Sequence, residues 1–577
     1  MHPLGSEAFH EQRGLMYRTL HSMAVATSVA VVALFGCVPS GDGESGPDQE
    51  VPFDVLITGA RVIDGTGNPW FRADVGIRGD VIAEIGLLSD RAATRTIEAS
   101  DRIVSPGFID MMGQSSLVLI TDPPSAESKL RQGITTYLSG EGGSPAPQSA
   151  ETQSLPLIIS GDTVRWNTYK EYFAIMERFG IPINVVHDVG LTQVRRVVLG
   201  EGDVQPTAVQ LEEMKALVRQ AMEDGAVGTS TSLIYPPAVY ARTDELIELT
   251  KVAGEYGGVY FTHMRNESHA VLEAIQEAIT IGEGAGVPVH IYHLKAAGQD
   301  NWPLMNDALA LIDSARAEGM DITADIYPYI RNGIGLGSFL HPRHYAEGTA
   351  AFLATLSDTE LRSRLREEVE STSDWENWYR HVGMDWNNVL IVSAPDTNVI
   401  NRSIAGAAEV LGVDAWSAFF DLVQTGSVSV NPKSMNEEQK WQALRADFVM
   451  IDTDASPVNP ATTASSHPRA FGAFPRVIAK YVREDGVLTL EDAVRRMSSL
   501  AAHRLGLYSR GVVAPGMIAD LVVFDEEKLR DEADFGADAM QYALGVDYLF
   551  VNGTLVIDDG QLVDSRPGRL LKREGSY

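Results

Sequence analysis

Residues 259–295 read VYFTHMRNESHAVLEAIQEAITIGEGAGVPVHIYHLK, and this stretch decides the fold. A short apolar run, Val259 to His263, is followed by a helical pattern from Val271 to Gly286 and then by a second apolar run, Val287 to His293. The same grammar extends in both directions. Residues Pro206 to Gly225 carry apolar positions at helical spacing (Leu211, Met214, Leu217, Val218, Ala221) before the strand-like Ala226–Ser230. Glu245 to Gly257 leads into Val259–His263, and Asn306 to Gly319 leads into Met320–Asp325. Helix-then-strand units in series imply a parallel sheet, and this many of them imply an α/β fold of the (β/α)8 barrel type. His263 and His293 each close an apolar strand, which places both at the catalytic end of such a barrel.

The two ends of the chain follow a different rule. Phe53–Gly67 and Asp74–Gly86 alternate short apolar runs with Gly and Asp turns, as do Ala519–Asp525 and Tyr548–Val556, the last folded about Asn552-Gly553, a strong hairpin signal. Both termini therefore contribute to one composite β-sandwich, 52–104 from the N-terminal side and 505–577 from the C-terminal side, around a barrel at 105–504. Between about 339 and 401 the strand rhythm lapses into charged helix and Trp-rich segments (Trp375, Trp378, Trp386), read as an insertion over the barrel mouth.

A formal charge of -32 over 577 residues excludes nucleic acid as a partner, because its phosphates require clustered Lys and Arg. The single cysteine, Cys37, follows an uncharged apolar run from Met23 to Gly36 preceded by Arg18. That run is too short to span a bilayer, which takes roughly 20 residues, but it suits a signal peptide. Leu34-Phe35-Gly36-Cys37 resembles a bacterial lipoprotein box, which implies a leader at 1–37, lipidation of Cys37, a flexible tether at 38–51 and attachment to a membrane through the lipid alone. The competing reading is a chance thiol after a simple secretory signal; either way the protein is exported, and Met16 is an alternative start.

Imidazoles from neighbouring strand ends can converge on one zinc ion. Taken singly, His263 or His293 is more often a core or capped histidine; at successive strand ends, followed by Met264-Arg265 and Leu294-Lys295, the pair points to a metal. The segments Thr262–Glu267, Ile291–Lys295, Asp325-Ile326-Tyr327-Pro328-Tyr329, Met450–Asp454 and His467–Val477 resemble, in order, the motifs of the N-acyl-D-amino-acid deacylases (D-aminoacylases) of the amidohydrolase superfamily. The likeness runs from Phe53 to about Gly568.

That resemblance implies one tightly held zinc, with His263 and His293 among its ligands, and hydrolysis of the amide of an N-acyl-D-amino acid, a small-molecule substrate. In the family a His-x-His pair after Pro-Gly-Phe-Ile-Asp serves a weaker second site; here Met112 and Gln114 stand in its place, and neither thioether nor carboxamide is a good ligand for zinc. One zinc per chain follows. The family's third ligand, a cysteine, aligns through a one-residue gap with Glu141, a competent zinc ligand; the alternative for Glu141 is a loop glutamate capping a backbone amide. Asp454 matches the catalytic aspartate that moves the water proton to the leaving amine, with Asp452 as the competing position. Lys295, Tyr327 and Arg469 match positions that hold the substrate carboxylate and supply local positive charge. A family serine contact falls on Gly333, leaving the substrate side chain open. Rival readings are a dipeptide or cyclic amide as substrate, or a binding protein that has lost its metal.

Overall fold

Among the described residues of the computed structural model (51–153, 156–372 and 374–575), eight parallel strands close a barrel. They are β1 Phe108–Asp110, β2 Ile134–Ser139, β3 Asn184–His187, β4 Gly228–Ser232, β5 Val259–His263, β6 Val289–Ile291, β7 Ile322–Ile326 and β8 Val449–Ile451. Registers such as Tyr137↔Val185, Thr229↔Tyr260, Phe261↔His290, His290↔Thr323 and Asp325↔Met450 run round the ring. Val189–Gly190, just past β3, carries the ladder on to β4. Cys37, the apolar run before it and the tether up to Glu50 lie outside the described residues. No helix among those described is long and apolar enough to cross a membrane.

The ring closes between β8 and β1 through a buried staple. Met111 N donates to Ile451 O at 3.4 Å. Asp110 Oδ1 accepts from Thr453 N at 2.9 Å, while Oδ2 accepts from Thr453 Oγ1 at 2.7 Å and from Lys129 Nζ at 2.6 Å. Neither Lys129 nor Asp110 is exposed at all, so each charge depends on the other for its stability in the interior.

The helices arise where periodicity places them. Ala208–Asp224 starts at Thr207, whose side chain and that of Gln210 form a capping box, and it stops at Gly225 (φ 124). Its Met214, Val218 and Ala221 are buried, as the spacing requires. Thr243–Gly254, Val271–Ala285 and Leu304–Ala317 bury apolar faces in the same way before β5, β6 and β7, but without a side-chain cap at their starts.

The two termini build one hydrogen-bonded sheet of nine strands among the described residues, joined where Ile103–Pro106 pairs antiparallel with Leu521–Phe524. The sheet curls: Arg95 on Ala93–Glu98 meets Asp558 on Thr554–Asp558, strands that share no backbone ladder, at 2.5 Å. Val55, Ile57, Ile97, Leu521 and Phe550, from both ends of the chain, share the enclosed core. The Asn552-Gly553 turn has φ 49 and φ 77, the left-handed pair that a two-residue hairpin needs. A Cβ at Gly553 would lie 2.0 Å from Gly79 O, so glycine is required there.

Between β7 and the helix Glu437–Arg445 the chain leaves the barrel and builds a second core. Ile334–Gly335, Val389–Ser393 and Ser429–Pro432 form a small antiparallel sheet, and Trp386 packs 4.9 Å from Phe419 and 5.1 Å from Trp416. The insertion is wider than the 339–401 expected from sequence. Its helices Ile404–Leu411 and Ala415–Gln424 carry apolar faces that read like barrel helices, which hides its far boundary.

Candidate active site

Six side chains project from the C-terminal ends of six strands. Gln114 follows β1, Glu141 follows β2, His263 ends β5, His293 follows β6, Tyr327 follows β7 and Asp454 follows β8. Lys295 lies two residues beyond His293, and Arg469 opens the helix Arg469–Arg476. All eight line one cavity of about 420 Å³. Gln114 (φ 58), His293 (φ 37) and Asp454 (φ 42) sit in the left-handed region, which costs roughly 1–3 kcal/mol for each such non-glycine residue and marks positions held by their surroundings.

Glu141 is presented by a loop whose glycines leave it little choice. Gly140 (φ 145) has no room for a Cβ, which would lie 2.2 Å from Asp188 Oδ1. Gly142 N donates to Ser230 Oγ at 2.8 Å, and Ser232 Oγ donates to Glu141 O at 2.8 Å, so β4 pins the loop on both sides. Among the described residues the carboxylate caps no backbone amide. Its Oε1 lies 2.7 Å from His263 Nδ1 and 3.3 Å from His293 Nε2, and its Oε2 accepts from Gln114 Nε2 at 2.7 Å. Burial alone would raise its pKa, but the bonds to His263 and His293 outweigh that and hold Glu141 well below the usual carboxylate range.

The donor atoms of Glu141, His263 and His293 all lie within 4.8 Å of one another, a grouping that could hold a metal ion. Two imidazoles and one carboxylate are a competent catalytic zinc set. His263 Nε2 is buried with no hydrogen-bond partner, and the imidazole rings meet edge to face at 4.5 Å. Behind them stands Glu267, which sequence reasoning missed. Its Oε1 is 2.8 Å from His293 Nδ1, and its two oxygens are each 2.7 Å from Lys295 Nζ. For His293 Nε2 to offer a lone pair, Nδ1 must carry the hydrogen and donate it to Glu267, the usual arrangement behind a metal-binding histidine. The signal was present in the sequence as an acid four residues beyond His263 in Thr262–Glu267.

Lys295 lines the same cavity, as expected; its ammonium is paired with Glu267, the carboxylate that also faces His293 Nδ1. Arg469 NH1 donates to Asp454 Oδ2 at 2.5 Å, while its Nε is buried without a partner. A Cβ at Gly333 would stand 2.8 Å from Arg469 NH2; the guanidinium uses the space a side chain would need. Tyr327 lies 4.6 Å beneath that guanidinium, its hydroxyl also unpartnered. Asp454 lines the cavity, and burial raises its pKa against the pull of Arg469. Asp452 does not line it: both its oxygens are buried without hydrogen-bond partners, and burial together with Asp325 and Asp454 pushes it well above the carboxylate range. Tyr235, half-buried and also absent from the sequence reading, packs its ring 5.4 Å from that of His263.

A parallel barrel that gathers imidazoles and carboxylates at its C-terminal mouth defines the class of metal-dependent hydrolases. Residues 95–563 match the Amidohydrolase family. The N-acyl-D-glutamate deacylase of Alcaligenes xylosoxydans xylosoxydans is 34% identical over 526 residues, 91% of this chain and 97% of that protein. Among solved structures, a D-aminoacylase whose binuclear metal centre is described as showing one-metal activation and second-metal attenuation superposes with a TM-score of 0.76 at 31% identity, covering 90% of this chain and all of the other. The N-acyl-D-glutamate deacylase of Bordetella bronchiseptica, complexed with zinc and a phosphonate mimic of the tetrahedral intermediate, gives 0.76 at 32% identity over 90% of this chain and all of that one. The chain belongs to the amidohydrolase family, on the branch of the N-acyl-D-amino-acid deacylases, and is a metal-dependent amidohydrolase acting on a C–N bond.

Proposed function

We propose that the protein hydrolyses the amide of an N-acyl-D-amino acid with a neutral side chain, using one zinc ion held by Glu141, His263 and His293. The observation that carries this reading is the convergence of three donors within 4.8 Å beside a cavity that Asp454 and Arg469 also line. A binding protein without metal would have no need of such a grouping. The chemistry a zinc ion supplies when bound there is polarisation of the scissile carbonyl and acidification of the attacking water. Asp454 accepts the proton of that water and returns it to the leaving amine. Arg469, whose Nε has no hydrogen-bond partner, offers its guanidinium to the substrate carboxylate, with Tyr327, its hydroxyl likewise unpartnered, stacked against it.

Charge sets the side-chain class. Lys295 and Arg469 are the lysine and arginine of the lining, and Glu267 and Asp454 already face them. A single α-carboxylate finds a partner in Arg469; a second, on an aspartyl or glutamyl side chain, meets no further lysine or arginine among the described lining residues. The insertion instead offers Ile334, Trp378, Val392 and Val430. The test compares kcat/KM for N-acetyl-D-leucine, N-acetyl-D-glutamate, their L-enantiomers, D-residue dipeptides and hydantoins. Preference for the neutral acyl-D-amino acid supports the reading; turnover confined to dipeptides or hydantoins overturns it.

The apolar run and Cys37 further support export and lipid anchoring at the periplasmic face of a bacterial membrane as part of the same proposal.

A further inference from the structure

A binuclear centre, as described for the D-aminoacylase relative, needs ligands for a second ion, and the residues here do not fit one. Met112 is fully buried among apolar neighbours. Gln114 Nε2 donates to Glu141 Oε2 at 2.7 Å and to Asp454 Oδ1 at 2.8 Å. Both neighbours are acceptors, so the nitrogen and not the oxygen of the carboxamide must face them, and its two hydrogens match the two carboxylates one to one. The amide thus fills the gap between two acids, where an ion joining them would have to lie.

We propose that Gln114 is a built-in, uncharged replacement for a second metal ion. Glu141 and Asp454 point at one gap and repel each other across it. The amide hydrogens bring the positive ends of two bond dipoles to that gap and hold the acids in fixed directions. Glu141 keeps Oε1 for the two histidines because Oε2 is engaged by Gln114. Asp454 is held from both sides, Oδ1 by Gln114 and Oδ2 by Arg469. Gln114 is therefore a positioning residue for the proton acceptor and also denies a second ion its site, so that excess metal does not attenuate turnover. This rests on the reading of Glu141, His263 and His293 as metal ligands and of Asp454 as the proton acceptor.

The test equilibrates wild type, Gln114→His and Gln114→Leu with excess zinc, dialyses each, and measures bound zinc by elemental analysis alongside steady-state kinetics on N-acetyl-D-leucine. Wild type retains one equivalent and its rate is flat in added zinc. Gln114→His takes up a second equivalent, and added zinc slows it. Gln114→Leu, which keeps the bulk but not the donors, retains one equivalent with KM little changed and kcat down roughly tenfold to a hundredfold, the penalty of a misaimed group. Two equivalents in the wild type, or normal kcat in Gln114→Leu, overturn the proposal. Should the leucine variant fail to fold, the metal count of the wild type and of Gln114→His still decides it. Wild type with no stoichiometric zinc, or with no turnover of any acyl-D-amino acid, instead sinks the reading beneath it.

Discussion

Replacing Asp454 with asparagine removes a proton acceptor while leaving the shape of the side chain. The backbone does not object, since asparagine tolerates the left-handed region (φ 42) as readily as aspartate does. The hydrogen bonds do object. Asp454 accepts from Gln114 at one oxygen and from Arg469 at the other, so an amide must turn its own NH2 against one of two donors. The Arg469–Asp454 pair is largely buried, with side-chain exposures of 7% and 10%, and breaking a buried pair costs about 3–5 kcal/mol. One retained hydrogen bond keeps the loss near the lower end, about 3 kcal/mol. Loss of general-base catalysis slows turnover by roughly 10²–10⁴-fold, a barrier increase of about 3–5 kcal/mol. KM does not rise, because Arg469, released from Asp454, has one more N–H group for the substrate carboxylate. The assay is steady-state kinetics on N-acetyl-D-leucine with zinc content and thermal melting measured on the same preparation. Asp452→Asn is the control and is expected to be mild. A crippled Asp452→Asn beside a normal Asp454→Asn would refute the reasoning, as would loss of zinc from Asp454→Asn.

Glu141→Ala is expected to lose zinc and activity together, while Glu141→Cys keeps appreciable zinc; elemental analysis of both variants checks this, and full occupancy in the alanine variant would move the third ligand elsewhere. Lys129→Met leaves Asp110 buried and unpaired at the closure of the barrel, so chemical denaturation should show a loss of about 3–5 kcal/mol. Cys37→Ser blocks lipidation, and the protein should leave the membrane fraction after cell lysis; unchanged partition would make Cys37 an ordinary thiol.

The barrel was legible because its signals are local. The helix Ala208–Asp224 announces itself by apolar spacing and a terminal glycine, both within one window of sequence. Asn552-Gly553 was legible for the same reason. His263 and His293 could be placed because a residue closing a barrel strand has a known destination. The contacts of Gln114 could not: its partners lie 27 and 340 residues away, and no local pattern states that an amide will face two acids. The engagement of Lys295 by Glu267 was hidden likewise, since two strands 28 residues apart must first be brought side by side. The far edge of the insertion was obscured by amphipathic helices that serve a second core as well as they would serve the first.

The left-handed backbone at Gln114, His293 and Asp454 also bears on how this enzyme can change. At such positions the main chain selects residues before chemistry does: Gly, Asn and Asp are tolerated, and β-branched residues are excluded on steric grounds alone. An isoleucine or threonine at 114 would have to distort the strand end before any loss of hydrogen bonding was felt. A substitution library aimed at new substrates therefore gains little from randomising these three positions. Its diversity belongs in the insertion, at Ile334, Val392 and Val430, where the cavity wall is reshaped without touching the backbone that aims the reacting groups.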